Sequence, residues 1–83
     1  MDDKAYAFRH LLKSLRKEKG ITQAKLAKAI FVDTATISKL ETGRLKPTVE
    51  TIALLSVYFN VTTDYLLAGE IIKSRKTMEV KYE

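Results

Sequence analysis

Cysteine is absent from the 83-residue chain, which excludes disulfides, thiolate nucleophiles and Cys-based zinc or iron-sulfur sites together. Only one histidine occurs, His10, with no partner set around it in the sequence. A surface position is expected for it, in place of a catalytic or metal-binding role. No Gly-rich phosphate loop, H-E-x-x-H or G-x-S-x-G motif is present. An RNP-type aromatic strand and a GXXG loop are missing as well, which argues against RNA recognition. The longest apolar stretch, Ile52 to Phe59, is interrupted by Ser56 and falls well short of the ~20 residues that span a bilayer. The start, Met1-Asp2-Asp3-Lys4, lacks the basic and apolar regions of a secretory signal. The expectation is a soluble, cytoplasmic protein that is not an enzyme, with no catalytic residues, no metal, no cofactor and no membrane contact.

What is present fits one small domain and a short appendage, since 83 residues lie below the usual domain size of about 100 to 150. Val, Leu, Ile and Phe number 24, or 29% of the chain, above the roughly 20% floor beneath which chains stay disordered. So small a core leaves little material for an enclosed active site. The net charge of +5 is unevenly spread. Residues 1–46 carry 11 Lys/Arg against 5 Asp/Glu, residues 47–69 carry none against Glu50 and Asp64, and residues 70–83 carry 4 against 3. A cationic first half is the footprint of a phosphate-backbone binder, although on charge alone a solvated lysine surface fits equally well.

Three glycines and one proline punctuate a helical pattern. Residues 5–19 place Phe8, Leu11, Leu12 and Leu15 on one stripe before a stop at Gly20. Thr22 caps a second helix that carries Leu26, Ala27 and Ile30. Asp33 caps a third of about nine residues, with Ile37 and Leu40 one turn apart and Gly43 closing it. Leu45-Lys46-Pro47 reads as a loop. Thr48 caps a fourth helix whose inner face is expected to hold Val49, Ile52, Leu55 and Phe59, with Asn60 in the left-handed turn after it. Thr62 caps a fifth, carrying Tyr65 and Leu66 up to Gly69. Beyond Gly69, Met78, Val80 and Tyr82 alternate with charged residues, compatible with a short strand or with a tail lacking fixed structure.

The segment TQAKLAKAIFVDTATISKLETG, Thr22 to Gly43, sets two short helices around the turn Phe31-Val32-Asp33, a helix-turn-helix arrangement. Rotation by ~100° per residue puts Ile37 and Leu40 on the buried side of the second helix with Glu41 at its margin. Ala35, Ser38, Lys39 and Thr42 lie opposite, with Thr34 and Thr36 on the first turn. Small side chains and one long cation suit close approach to a major groove about 12 Å wide.

Here the chain resembles a known family. Leu15-Arg16-Lys17-Glu18-Lys19-Gly20-Ile21-Thr22-Gln23, Leu26-Ala27, Thr36-Ile37-Ser38-Lys39-Leu40-Glu41-Thr42-Gly43, Pro47, and Phe59-Asn60-Val61-Thr62 leading into Tyr65-Leu66-Leu67 occur in order. Phe8 to Gly69, 62 of 83 residues, is similar to the lambda-repressor-like, or Xre/Cro, helix-turn-helix transcription regulators. The resemblance implies an all-α five-helix DNA-binding domain over residues 1–69, followed by the tail 70–83, and a homodimer on double-stranded DNA. By position it implies that Thr34, Ala35, Thr36 and Lys39 face the bases and that Gln23, Ser38, Thr42, Arg44 and Lys46 hold the backbone. Lys39 would donate to guanine O6 and N7, and Ala35 would pack on a thymine methyl. Arg16 and Glu41 would form a structural ion pair between the first and third helices.

Two positions depart from the family. Phe31 stands where a turn glycine is usual, so either the turn is built differently or the ring compensates by packing. Asp33 replaces a neutral cap, which should cap well and mildly repel phosphate. Leu54, Val57 and Tyr58 exceed what one inner stripe needs. With Tyr65 and Leu67, and the strand-like 78–82 segment, they are expected to form a twofold dimer interface. The expected function is repression by a dimer on a palindromic operator, in a protein of bacterial or phage origin that joins the nucleoid when bound. A competing reading is a DNA-binding antitoxin whose tail grips a protein partner.

Overall fold

The computed structural model describes residues 8–67. The expected helix start at residue 5, the stop at Gly69 and the tail 70–83 with its strand or partner-binding role lie outside them. The described residues form five helices and no strand: α1 (Phe8–Lys19), α2 (Gln23–Ala29), α3 (Thr34–Thr42), α4 (Val49–Phe59) and α5 (Thr63–Leu66).

Four of these begin in the same way, because a short oxygen-bearing side chain satisfies an N–H that the first helical turn leaves unpaired. Thr22 Oγ1 accepts from the Lys25 N–H at 3.1 Å, Asp33 Oδ1 from Thr36 at 2.8 Å, Thr48 Oγ1 from Thr51 at 3.1 Å and Thr62 Oγ1 from Tyr65 at 3.0 Å. The stops are equally local. Gly20 and Gly43 take φ of +70° and +81°, and Asn60 takes +55°, the left-handed conformation that ends helices. Ser56 Oγ donates to the Val61 carbonyl at 2.7 Å, tying the end of α4 to the chain leaving it.

Phe8 and Leu12 of α1, Leu26, Ala27 and Ile30 at α2, Ile37 and Leu40 of α3, Ile52 and Leu55 of α4, and Leu66 of α5 meet in one core with Ile21. Within it α3 packs on both α1 and α2, which leaves its opposite side to solvent. Val49 corrects the expectation for α4: it is 88% exposed. Its angle lies near the apolar face, but it sits on the first turn beside exposed Thr48 and Glu50, at the open end of the helix.

Phe31 adopts φ of +64° and is 83% exposed. The turn therefore has the conformation that glycine favours, and the ring does not compensate by packing. A non-glycine residue there is strained by about 1 to 2 kcal/mol, while glycine, freer in the unfolded chain, loses about 0.5 to 1 kcal/mol more in entropy on folding. Phe31→Gly is expected to stabilise the domain by about 0.5 to 1 kcal/mol, raising the melting temperature by a few degrees. A lower melting temperature would show that the ring is held in place by contacts.

Candidate nucleic-acid interface

The interface is built on the outward side of α3. Thr34, Ala35 and Lys39 are exposed there, and none of the three side chains is tied up by a hydrogen bond among the described residues. Past Gly43 the chain turns sharply, with the Arg44 and Leu45 N–H groups donating to the Lys39 carbonyl at 2.9 and 3.2 Å. Arg44 and Lys46 follow, both exposed. The exposed residues of α3 are thus followed directly in the chain by a cationic loop, an order that suits base reading flanked by backbone positioning.

Three expected contacts are committed elsewhere by internal hydrogen bonds. Thr36 is half-buried and donates its hydroxyl to Asp33 Oδ1 at 2.5 Å. Its oxygen can still accept. Thr42 Oγ1 donates to the carbonyls of Ser38 and Lys39 at 3.0 and 3.3 Å. Since phosphate oxygens only accept, Thr42 must break that bond to hold one. Gln23 points inward, donating from Nε2 to Glu41 Oε1 at 3.1 Å, so at that position the backbone N–H near the helix start is the freer donor. Ser38 is half-buried.

Asp33 carries a lowered carboxyl pKa, because the Thr36 hydroxyl and then its N–H bond the ionised form, with Lys39 adding a smaller attraction. A folded-state pKa below the unfolded one contributes stability that is present above the ordinary aspartate value of about 3.9 and lost as pH falls through the folded value. Asp33→Asn keeps a cap but removes that dependence. Its stability should fall less steeply than the parent's on acidification below about pH 4, as read by urea denaturation across pH. Parallel acid limbs would mean that the cap is not acid-sensitive.

Behind the interface, Arg16 and Glu41 clamp α1 to α3. Arg16 Nε donates to Glu41 Oε2 at 2.6 Å, Nη2 to Oε1 at 3.1 Å and Nη1 to the Ile21 carbonyl at 2.9 Å. The Glu41 side chain is 2% exposed and that of Arg16 13%. Hydrogen bonding to the carboxylate raises the Arg16 pKa further above its ordinary value, against the opposing effect of burial. Gln23 is the member that sequence reading missed. A buried carboxylate accepts more than two hydrogen bonds, so a further donor was to be looked for.

A helix-turn-helix family profile matches residues 12–66. The chain belongs to that family. It is the Xre or lambda-repressor-like type of DNA-binding domain found in transcriptional regulators. This helix-turn-helix chain is 41% identical over 63 residues to the HTH-type transcriptional activator BcrR of Enterococcus faecalis, covering 76% of itself and 31% of that protein. It is 33% identical over 61 residues to the ImmF control region 10 kDa protein of Bacillus phage phi105, covering 74% and 68%. The P22 c2 repressor, solved in complex with a synthetic operator, superposes with a TM-score of 0.72 at 32% identity, covering 76% of this chain and 96% of that one.

Other expected residues of the helix-turn-helix domain fall as follows. His10 is exposed, and no His/Asp/Glu group among the described residues could hold a metal ion. No described helix is long and apolar enough to cross a membrane. Of the expected dimer residues, Val57 is 81% and Tyr65 48% exposed, whereas Leu54, Tyr58 and Leu67 pack partly against the core. Tyr58 stands edge-on to Phe59 with ring centroids 5.0 Å apart and lies under Lys19 Nζ, 5.0 Å from the ring centre. Much of the surplus apolar surface of α4 is thus covered within the chain. Arg9, which no sequence pattern singles out, lies against Gly43: a Cβ there would come within 3.0 Å of Arg9 Cδ and 3.2 Å of its Nη1.

Proposed function

We propose that residues 1–69 bind a palindromic operator as a homodimer and repress transcription by occupying it. The observation that carries this reading is the outward side of α3. Thr34, Ala35 and Lys39 stand free there, the Arg16–Glu41 clamp holds the helix from behind, and Arg44 and Lys46 follow in the next loop. Thr34 and Ala35 would approach base edges in the major groove, Lys39 would read a guanine, and the loop cations would grip phosphate. The similar P22 c2 repressor was solved on operator DNA, which supports this docking. Relatives differ in sign, since the Enterococcus protein is named an activator. Repression is favoured because the solved structure that matches is a repressor bound to operator DNA.

Val57 and Tyr65 would lie at the centre of the dimer contact, with Leu54, Tyr58 and Leu67 at its edge. A solution mass that stays at 9.4 kDa at high concentration would sink the dimer. The operator is tested by selection from a randomised duplex pool at near-physiological salt. The expected product is a palindrome with half-sites about one helical turn, ~34 Å, apart. Retention without enrichment, vanishing as salt rises, would leave only charge-driven binding and overturn the operator reading.

A further inference from the structure

We infer that Arg9 is an additional phosphate contact of the DNA-binding domain, carried by α1 and seated by Gly43; this rests on the docking proposed above. Arg9 and Arg16 are seven residues apart, two helical turns, and so share one face of α1. Both reach α3, with different fates. Arg16 meets Glu41 within the helix, and that carboxylate balances its charge through two hydrogen bonds. Arg9 meets the end of the helix, where Gly43 has no side chain. Its Cδ and Nη1 both lie against that glycine, so stem and guanidinium rest along the backbone just before Arg44.

No hydrogen bond or ion pair engages the Arg9 guanidinium among the described residues. Residues 42–49, around Gly43 in the chain, contain no acid and include Arg44 and Lys46. Arg9 thus adds a cation at Gly43, next in the chain to Arg44 and three residues from Lys46, and like charges so placed reinforce the local field. A half-buried arginine with its fork unspent suits a phosphate, which accepts two parallel N–H bonds. The alternative is a purely structural part, the guanidinium balancing the negative end of α3. That part would be played through the α3 carbonyls, none of which Arg9 bonds. Gly43 then answers two demands, a φ of +81° and room for Arg9.

The test uses the full chain, a labelled duplex of random sequence and anisotropy titrations between about 50 and 200 mM salt. Arg9→Gln is expected to give a salt slope shallower by about 0.9 per bound copy, so that its loss of affinity shrinks roughly 3.5-fold across that range. Its melting temperature without DNA should match the parent's, and Arg9→Lys, which keeps the charge, should hold the parent slope. A parent-like slope in Arg9→Gln overturns the assignment, whether or not the melting temperature falls. Arg44→Ala separates the two failures. If it flattens the slope and Arg9→Gln does not, Arg9 alone is misassigned; if neither does, the docking itself is wrong.

Discussion

Glu41→Ala is expected to cost about 3 to 5 kcal/mol of folding stability, because it strands the Arg16 guanidinium beside a core that cannot solvate it. The same change removes the acceptor of Gln23 Nε2 and leaves a cavity at a side chain now 2% exposed. A chain of this length holds on the order of 4 to 12 kcal/mol in all, so the variant keeps little of it. Its melting temperature should drop by more than about 12 °C. Thermal or urea unfolding measures this directly. A loss under about 1 kcal/mol would mean that solvent screens the pair as it does a surface bridge. The double variant Arg16→Met with Glu41→Leu should regain much of the loss, since removing both charges together leaves neither unpaired. DNA affinity provides a second readout: the clamp orients α3, so the single variant should lose binding as it unfolds.

Lys39→Ala and Arg44→Ala should separate base reading from backbone positioning. Lys39 stands exposed on the outward side of α3 among small side chains, where in the proposed docking its ammonium would reach a guanine edge. Its loss is expected to relax preference at one position per half-site by about 1 to 3 kcal/mol. Arg44 follows the helix in the cationic loop. Its removal should weaken all sequences alike and flatten the salt dependence by about one unit per contact. Both side chains are exposed, so folding stability should change by no more than about 0.5 kcal/mol in either variant. Repeating the randomised-pool selection with each variant reads specificity, and salt titration reads the backbone contact. Equal effects on base preference from the two substitutions would break the assigned roles.

How far these residues were legible in advance depended on how far away their partners lie. Thr22, Asp33, Thr48 and Thr62 are legible as caps because each bonds an N–H three residues on. Gly20, Gly43 and Asn60 were read as stops because the left-handed conformation is a property of the residue itself. The Arg16–Glu41 pair spans 25 residues and came only through likeness to a family. The hydroxyl bonds of Thr36 and Thr42 are also local and could have been anticipated, Thr36 as the third residue after an aspartate cap and Thr42 by back-bonding to the carbonyl four residues earlier.

The remaining differences arise where distant segments meet. Whether Phe31 packs, whether Val49 is covered and how much of Tyr58 stays free depend on which surface lies opposite each side chain, and composition does not say. The sequence alone determined the five helices, the caps and left-handed stops between them and the outward polar side of α3, since these follow from hydrogen bonds and rotations within about four residues. Only the tertiary structure decided that Gln23 turns inward to Glu41, that Val49 and Phe31 face solvent and that Arg9 rests on Gly43. Such outcomes are set by the crossing of α1 and α2 over α3, where side-chain volume and unpaired polar groups must be satisfied across long stretches of chain.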